Sequence, residues 1–304
     1  MKKYKILVTG GGGYIGSMLV TKLLDLNHDV TVIDKMIYNK SSLNHLFYHK
    51  NFKLIIGDSN NSKILSKNIK NKDYIIPLAA VVGASLCEQN KKKAKETNLK
   101  AIEKICSFSK KKQKIIYLNT NSGYGIKKKQ KIYDESSPLT PNSLYGKTKN
   151  EGENIISRRK NFVTFRLASV FGNSFRMRDE LLLHFLVREG FEKGIIKLFE
   201  PKFKRNFIHI SDVVKAIIFA IDNFKNLKND IYNLGLYKGT ITKIDLVRKI
   251  KRKIKNLKIK IIKSEEDPDK RDYIVSNRKI EKKGFKSNYS LDDGINEILN
   301  IIKI

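Results

Sequence analysis

An apolar run, Ile6-Leu7-Val8, breaks into Thr9-Gly10-Gly11-Gly12-Gly13-Tyr14-Ile15-Gly16, and from Tyr14 to Leu26 apolar residues recur at helical spacing. No other feature restricts the fold so tightly. The run reads as a buried parallel strand, and strand, glycine turn and helix together form the context in which a glycine pattern implies a dinucleotide site. Glycines let the backbone turn sharply and come close to a pyrophosphate, whose charge sits beside the unfilled N–H groups of a helix N-terminus. Gly10, Gly13 and Gly16, with Tyr14 and Ile15 at the helix start, are therefore expected at the cofactor.

Strand and helix patterns alternate beyond this turn, with apolar strand runs at Val30 to Ile33, Phe52 to Ile56, Tyr74 to Leu78, Lys114 to Leu118 and Phe162 to Leu167. A helix is expected from about Glu88 and another from about Ser143. Such alternation predicts an α/β fold, a doubly wound parallel Rossmann sheet with helices on both faces. After Phe171 the order loosens: helices near Asp179 to Glu189 and from Asp212, Thr242 and Leu291, and strands near Ile195 to Leu198, Asn206 to Ile210, Ile231 to Leu234 and Lys258 to Ile262. We read residues 1–170, with a returning segment at about 206–235, as the dinucleotide-binding domain. Residues 171–205 and 236–304 would form a smaller C-terminal α/β substrate lobe.

The 304 residues suffice for a substantial core, and the 40% apolar content is that of a globular chain. The formal charge of +32 by itself suggests nucleic acid or an anionic surface as partner. Its make-up argues otherwise. Only 11 of the 62 cations are arginine, so 62 − 11 leaves 51 lysines, alongside a surplus of Ile and Asn, a pattern of AT-rich codons spread over solvated faces. Base-reading surfaces favour arginine forks and interleaved aromatics, and no such motif is present. No partner nucleic acid is expected, and no membrane: the longest nearly apolar stretch, Tyr74 to Cys87, contains Pro77 and is too short to span a bilayer. Cys87 and Cys106 are isolated, which suits a reduced, cytoplasmic location. His45 and His49 have a helical spacing without a third ligand, so no metal is expected.

Asp34 ends the second strand, eighteen residues after Gly16 (34 − 16). A carboxylate there accepts the ribose 2′-OH of NAD and repels the 2′-phosphate of NADP, so NAD is the expected cofactor. The neighbouring Lys35 is a cation that could help seat a phosphate. Asp58, after Gly57, is placed to cap the adenine edge, or merely to close a turn. Leu78-Ala79-Ala80, small residues closing the fourth strand, suit a backbone passing a nicotinamide.

Tyr145 and Lys149, in SLYGKTK, are four residues apart on a predicted helix and share one face. They follow the strand ending at Thr120, where an open parallel sheet has its carboxyl-end crevice. A tyrosine is a poor base at pH 7, and lowering its pKa by about three units takes roughly 4 kcal/mol, which an adjacent ammonium and a positive nicotinamide can supply. Thr120 would hold a reacting hydroxyl against Tyr145, leaving the carbon for hydride transfer. Arginine is scarce, and a residual one is more often found where a planar, bidentate fork is useful. Arg176 and Arg178 follow the sixth strand beside Asn173; Arg166, inside an apolar strand, reads as a buried ion pair.

TGGGGYIG, Asp34, LAA, TNSGYG, YGKTK and RNFIHISDVVKA together resemble the extended short-chain dehydrogenase/reductase family of nucleotide-sugar epimerases, dehydratases and dehydrogenases, over nearly the whole chain. That resemblance implies a catalytic triad of Thr120, Tyr145 and Lys149, cofactor contacts from Tyr145, Lys149 and an asparagine before the fifth strand, Asn98, and nucleotide-diphosphate contacts from the segments holding Asn173, Arg176, Arg178, Arg205 and Arg271, the last of which could equally form a surface ion pair. It also suggests a homodimer or higher homo-oligomer, built from helices flanking the fifth strand. IIPLAAVVGASLC, NTNSGYG, VTFRLASVFGNSFRMR and EDPDKRDYIVSN resemble more narrowly the GDP-heptose 4-dehydrogenases of capsule-heptose biosynthesis, which oxidise carbon 4 with tightly held NAD. A GDP-sugar would then be favoured over a UDP-sugar.

The 4,6-dehydratases of this family carry an acidic or Ser-Glu pair right after the threonine, where this chain has Asn121 and Ser122. Neither is an acid or base near neutral pH, so dehydration is disfavoured and both residues are expected to face the sugar instead. The expectation is NAD-dependent oxidation at carbon 4 of a nucleotide sugar. A 4-epimerase is its nearest rival, and a non-catalytic cofactor-binding or nucleic-acid-binding protein its remote one.

Overall fold

The computed structural model describes residues 2–125, 132–236, 239–263, 272 and 274–303. In chain order, β1 (Lys5–Thr9), α1 (Tyr14–Asp25), β2 (Asp29–Asp34), β3 (Phe52–Ile56), α2 (Ser62–Ile69) and β4 (Tyr74–Pro77) come first. There follow α3 (Ala84–Gln89), α4 (Lys91–Lys95), a π-helical turn (Glu96–Lys100), α5 (Ala101–Phe108), β5 (Lys114–Thr120) and a 3₁₀ turn (Asn121–Tyr124). Next are β6 (Ile132–Tyr133), α6 (Leu144–Ser157), β7 (Phe162–Leu167), β8 (Ser169–Phe171), α7 (Leu182–Lys193), β9 (Ile195–Leu198), β10 (Lys204–His209), α8 (Ile210–Asp222) and α9 (Phe224–Leu227). The chain closes with β11 (Asp230–Leu234), β12 (Thr240–Thr242), α10 (Lys243–Lys253), β13 (Lys258–Ile261), β14 (Ile274–Val275), α11 (Arg278–Lys282) and α12 (Leu291–Ile302).

Seven strands form the main sheet in the order β11-β7-β5-β4-β1-β2-β3, every pair parallel. The chain steps from β1 out to β3 and then returns to β4 on the other side of β1. That reversal opens the crevice at the carboxyl ends of β1 and β4, the place where doubly wound sheets bind ligands. Alternate residues feed opposite faces, as strand geometry requires. Ile6, Val8, Val30 and Val32 join the core under α1 and α8, and Leu7, Ile33, Ile75 and Ile115 the core under α2 and α5. The doubly wound sheet expected from the sequence is the one found.

Three helix starts were marked by their caps. Ser143 accepts from Gly146 N at the start of α6, Thr242 from Asp245 N at α10, and Ser290 with Asp293 makes a capping box at α12. The helix expected from Glu88 differs. It begins at Ala84, breaks at Asn90 and widens into the π turn, which carries Asn98 inward. Within the expected returning segment, β11 does rejoin the main sheet, whereas β10 pairs with β8 and β12 in a three-stranded sheet.

Arg166 forms the buried ion pair expected of it. Its guanidinium on β7 grips Glu153 of α6 (Nη2 to Oε1 2.6 Å, Nε to Oε2 3.1 Å), and both side chains are almost fully buried. Burial opposes the charge on Arg166, but the bonds from Glu153 outweigh it and hold the guanidinium above its ordinary range. Asn119 Nδ2 also donates to Glu153 at 2.8 Å, and Arg166 Nη1 to the Tyr124 hydroxyl at 3.0 Å. This cluster seats α6 on β5 and β7. Replacing Arg166 with Met leaves a buried carboxylate without its cation and should cost about 3–5 kcal/mol of unfolding free energy. Adding Glu153→Leu should restore at least half of the loss, measured by denaturant titration of both variants.

Candidate active site

The glycine turn brings two backbones together. Gly10 has φ +75°, and a Cβ there would lie 2.4 Å from Ala79 N, so the ends of β1 and β4 could not meet with any other residue. Gly16 lets α1 close on the turn, because a Cβ would sit 2.2 Å from the Gly10 carbonyl oxygen. Gly13, the N-cap of α1, has no side chain to occupy the N–H groups of the first helical turn. Beside this helix start lies a cleft walled by Gly10, Gly12, Gly13, Asp34, Asp58 and Leu78 to Val81. A pyrophosphate suits this glycine backbone, which has no side chains to exclude it, at a positive helix end.

Asp34 is held in place by two backbone donors, Gly12 N to Oδ2 (2.8 Å) and Met36 N to Oδ1 (2.7 Å), which leaves lone pairs on the carboxylate for a ribose diol. Lys35 does not extend toward Asp34. Its ammonium pairs with Asp58 Oδ2 at 2.6 Å. Burial pushes Asp58 up, but the Lys35 bond, the Asn60 N–H and the nearby lysine charges prevail, holding the carboxyl below its usual range. Asp58 also closes a turn by accepting from Asn60 N, and it lines the cleft. The donor set matches an adenosine ribose without a 2′-phosphate.

Asn98 does not line this cleft. Fully buried in the π turn, it accepts from Val81 N (2.8 Å) and donates to Val81 O (2.9 Å) and Thr148 Oγ1 (3.3 Å). It thereby fixes the cleft strip Leu78 to Val81 against α6 and acts on the site through the backbone. Tyr14, likewise, turns its ring away from the cleft: its hydroxyl donates to Gly172 O at 2.7 Å. Neither Tyr14 nor Ile15, both expected at the cofactor, is among the residues that line the cleft. Sequence reasoning did not single out Met36 to Asn39, Val81, Lys93 and Thr97, which also line the cleft. Only Val81 had a signal, its place directly after Leu78-Ala79-Ala80.

Tyr145 is half-buried and packs with Leu144 against Val81, Cys87 and Ala94. Val81 thus lines the cleft and belongs to the cluster on which the tyrosine packs. Thr120 ends β5, where its Oγ1 donates to Ser122 Oγ (3.2 Å) and accepts from Ser122 N. Gly146 and Gly123 allow the 3₁₀ turn to lie against α6: Cβ atoms there would meet Ser122 O and Asn150 Oδ1. Asn121 and Ser122 are both buried beside Thr120. Lys149 is 6% exposed, its Nζ 4.1 Å above the Tyr117 ring, while the Tyr117 hydroxyl donates to the Lys149 carbonyl. Burial drives the Lys149 ammonium down to about 7, against a smaller upward pull from Glu153.

On the other rim, Arg176 lies 4.5 Å over the ring of Tyr38, a cleft residue, and Arg178 pairs with Glu180 at 2.8 Å. Asn173 is exposed, and its N–H donates to Glu297. Arg205 is 4% exposed and donates to the Lys204 carbonyl. Arg271 lies outside the described residues. Among those residues no group of three or more His, Cys, Asp or Glu could hold a metal, and no helix is long and apolar enough to cross a membrane.

The profile of the NAD dependent epimerase/dehydratase family matches residues 6–235. A UDP-glucose epimerase of Bacillus subtilis, itself uncharacterized, is 30% identical over 76% of this chain and 76% of its own length. The UDP-glucose 4-epimerase of Corynebacterium glutamicum is 28% identical over 81% of this chain and 80% of its own. Among solved structures, a mutant UDP-glucuronic acid 4-epimerase of Bacillus cereus, in complex with NAD and a fluorinated UDP-sugar, superposes with a TM-score of 0.87 at 25% identity, covering 98% of this chain and 99% of that one.

The Lys149 shift carries a sign that can be tested. Its folded value of about 7 lies below the ordinary 10.5, so between those pH values the unfolded chain binds more protons and stability rises with pH. In cofactor-free protein, Lys149→Met should be more stable than wild type at pH 7, by about 4 kcal/mol. The advantage should fade as pH approaches 10.5, measured by denaturant titration across that range.

Proposed function

We infer the activity from the premise that this chain belongs to the NAD dependent epimerase/dehydratase family, and is therefore an NAD-dependent enzyme of nucleotide sugars. We propose that it is a nucleotide-sugar 4-epimerase, using tightly held NAD to oxidise carbon 4 of the sugar and reduce it again from the other face. The observation that carries this reading is the small cluster of Val81, Cys87 and Ala94, which lines the cleft through Val81 and has Tyr145 packed against it. The epimerase names of the relatives, all with UDP-sugars, support the same choice.

The chemistry supplied by bound NAD is hydride acceptance and return at carbon 4. Tyr145 takes the proton of the 4-hydroxyl as the hydride leaves, and gives it back on reduction. Lys149, one helical turn along and buried, presents a positive charge that favours the tyrosinate. Thr120 holds the hydroxyl through its Oγ1, oriented by Ser122. Asn121 and Ser122 bring no acid to carbon 5, so water elimination has no proton donor or acceptor in this turn. Arg176 and Arg178 hold the diphosphate.

A second reading, net oxidation of a GDP-heptose to a 4-keto sugar, rests on the motif runs IIPLAAVVGASLC, NTNSGYG and VTFRLASVFGNSFRMR. It differs only in whether the keto sugar leaves before the hydride returns. Purified protein should be incubated with UDP-glucose, UDP-glucuronic acid and GDP-mannoheptose and the products read by NMR. A 4-epimer without net cofactor reduction is the expected result, and Tyr145→Phe should slow it about 10²–10⁴-fold while keeping its NAD. A 4-keto product with reduced cofactor would select the second reading. Undiminished turnover in Tyr145→Phe would refute both.

A further inference from the structure

Helix α1 does more than end a phosphate-binding turn. Tyr14, Ser17 and Thr21 share one face at i, i+3 and i+7, and all three bond away from the sheet, toward the segment 172–175. The Tyr14 hydroxyl donates to Gly172 O (2.7 Å), Ser174 Oγ donates to Tyr14 O (2.7 Å), and Ser17 Oγ meets Ser174 Oγ at 3.1 Å. Thr21 Oγ1 bonds to His45 Nε2 at 2.9 Å, and the His45 ring stacks on Phe175 with centroids 3.9 Å apart. Tyr14, Ser17 and Ser174 are all buried, so each of their bonds is made out of water.

The segment is fixed equally from its other side. Gly172 has φ +109°, and a Cβ would sit 2.4 Å from His209 Nε2, so this backbone is pressed between α1 and β10. Gly172 N donates to His184 Nε2 (3.0 Å), which places the ring proton on Nδ1, facing Arg178 O at 2.9 Å. Burial lowers His184 below its ordinary range despite the upward pull of the Arg178 carbonyl and neighbouring acids, consistent with a neutral ring. Burial also keeps the Tyr14 phenol protonated, pushing it well above its usual range, so it is a donor and not an acid or base.

We propose that Tyr14 is a positioning residue for the substrate: its hydroxyl, with the Ser17–Ser174 pair, sets where Asn173 to Arg178 stand relative to the dinucleotide turn. This inference rests on the reading that Arg176 and Arg178 hold the diphosphate of the nucleotide sugar. One rigid helix then carries the cofactor phosphates at its N-terminus and the substrate arginines on its flank. The distance between hydride acceptor and sugar is thereby built into α1. The tyrosine of the glycine turn is a substrate-side residue, although its position in the motif suggests a cofactor ligand.

The test uses NAD-loaded protein. Tyr14→Phe keeps the ring, which packs edge-on against His184 (centroids 5.9 Å, interplanar angle 74°), and removes only the bond to Gly172. Calorimetric titration with UDP and GDP should show affinity for the preferred diphosphate reduced about tenfold, with NAD content per chain unchanged. With UDP-glucose, KM should rise by the same factor while kcat stays within about twofold, the signature of weakened uniform binding. Ser174→Ala should reproduce the split and serves as the test if Tyr14→Phe does not fold. Arg176→Ala/Arg178→Ala should weaken the diphosphate more than either. If the arginine variant binds UDP and GDP as wild type does, the diphosphate reading fails and takes this proposal with it. If the arginine variant loses affinity while Tyr14→Phe and Ser174→Ala keep it, or lose only NAD, the positioning role of Tyr14 alone is overturned.

Discussion

The meeting of two backbones at Gly10 and Ala79 is the constraint from which the rest of the site follows. A side chain at Gly10 would overlap Ala79 N, and one at Gly16 would overlap the Gly10 carbonyl. With hydrogens in both places, β1 and β4 end side by side and α1 starts directly above their crevice. Leu78 to Val81 then line a dinucleotide cleft, and Val81 belongs to the cluster against which Tyr145 of α6 packs. The cleft and the helix that carries Tyr145 are neighbours because of a turn that tolerates no Cβ.

Holding α6 there draws on buried polar chemistry. Glu153 and Arg166 tie its middle to β7, Asn98 ties its Thr148 to the cleft strip, and Tyr117 bonds to the carbonyl of Lys149. A lysine forced into that environment gives up much of its hold on its proton, which is a cost to folding and a resource for chemistry. The same segment that stabilises the fold through Glu153 therefore destabilises it through Lys149, one turn earlier. That opposition is a common mark of functional sites.

Sequence showed the parts that obey a period or a cap. The strands of the main sheet were visible as apolar runs, and α6, α10 and α12 began beside the Ser or Thr that caps them. It did not show β6, β8, β12 and β14, since two or three residues are too few for any period. Nor could spacing say where a side chain points. Tyr14 and Asn98 were expected at the cofactor but bond to Gly172 and Val81, partners 158 and 17 residues away in sequence. Lys35 could have approached a phosphate, and only the fold revealed that Asp58 takes its charge. The choice between UDP- and GDP-sugars depends on a base pocket for which neither motif nor cleft gave a chemical signature.

The central claim is that hydride leaves carbon 4 of a nucleotide sugar beside Tyr145. It is tested most directly by following deuterium from UDP-[4-²H]glucose during a single turnover of NAD-loaded protein, by mass spectrometry of cofactor and sugar. The account predicts that deuterium enters the bound nicotinamide or returns to carbon 4 of the epimer, without loss to solvent, and does neither in Tyr145→Phe. Deuterium lost to solvent while the sugar is converted would contradict it.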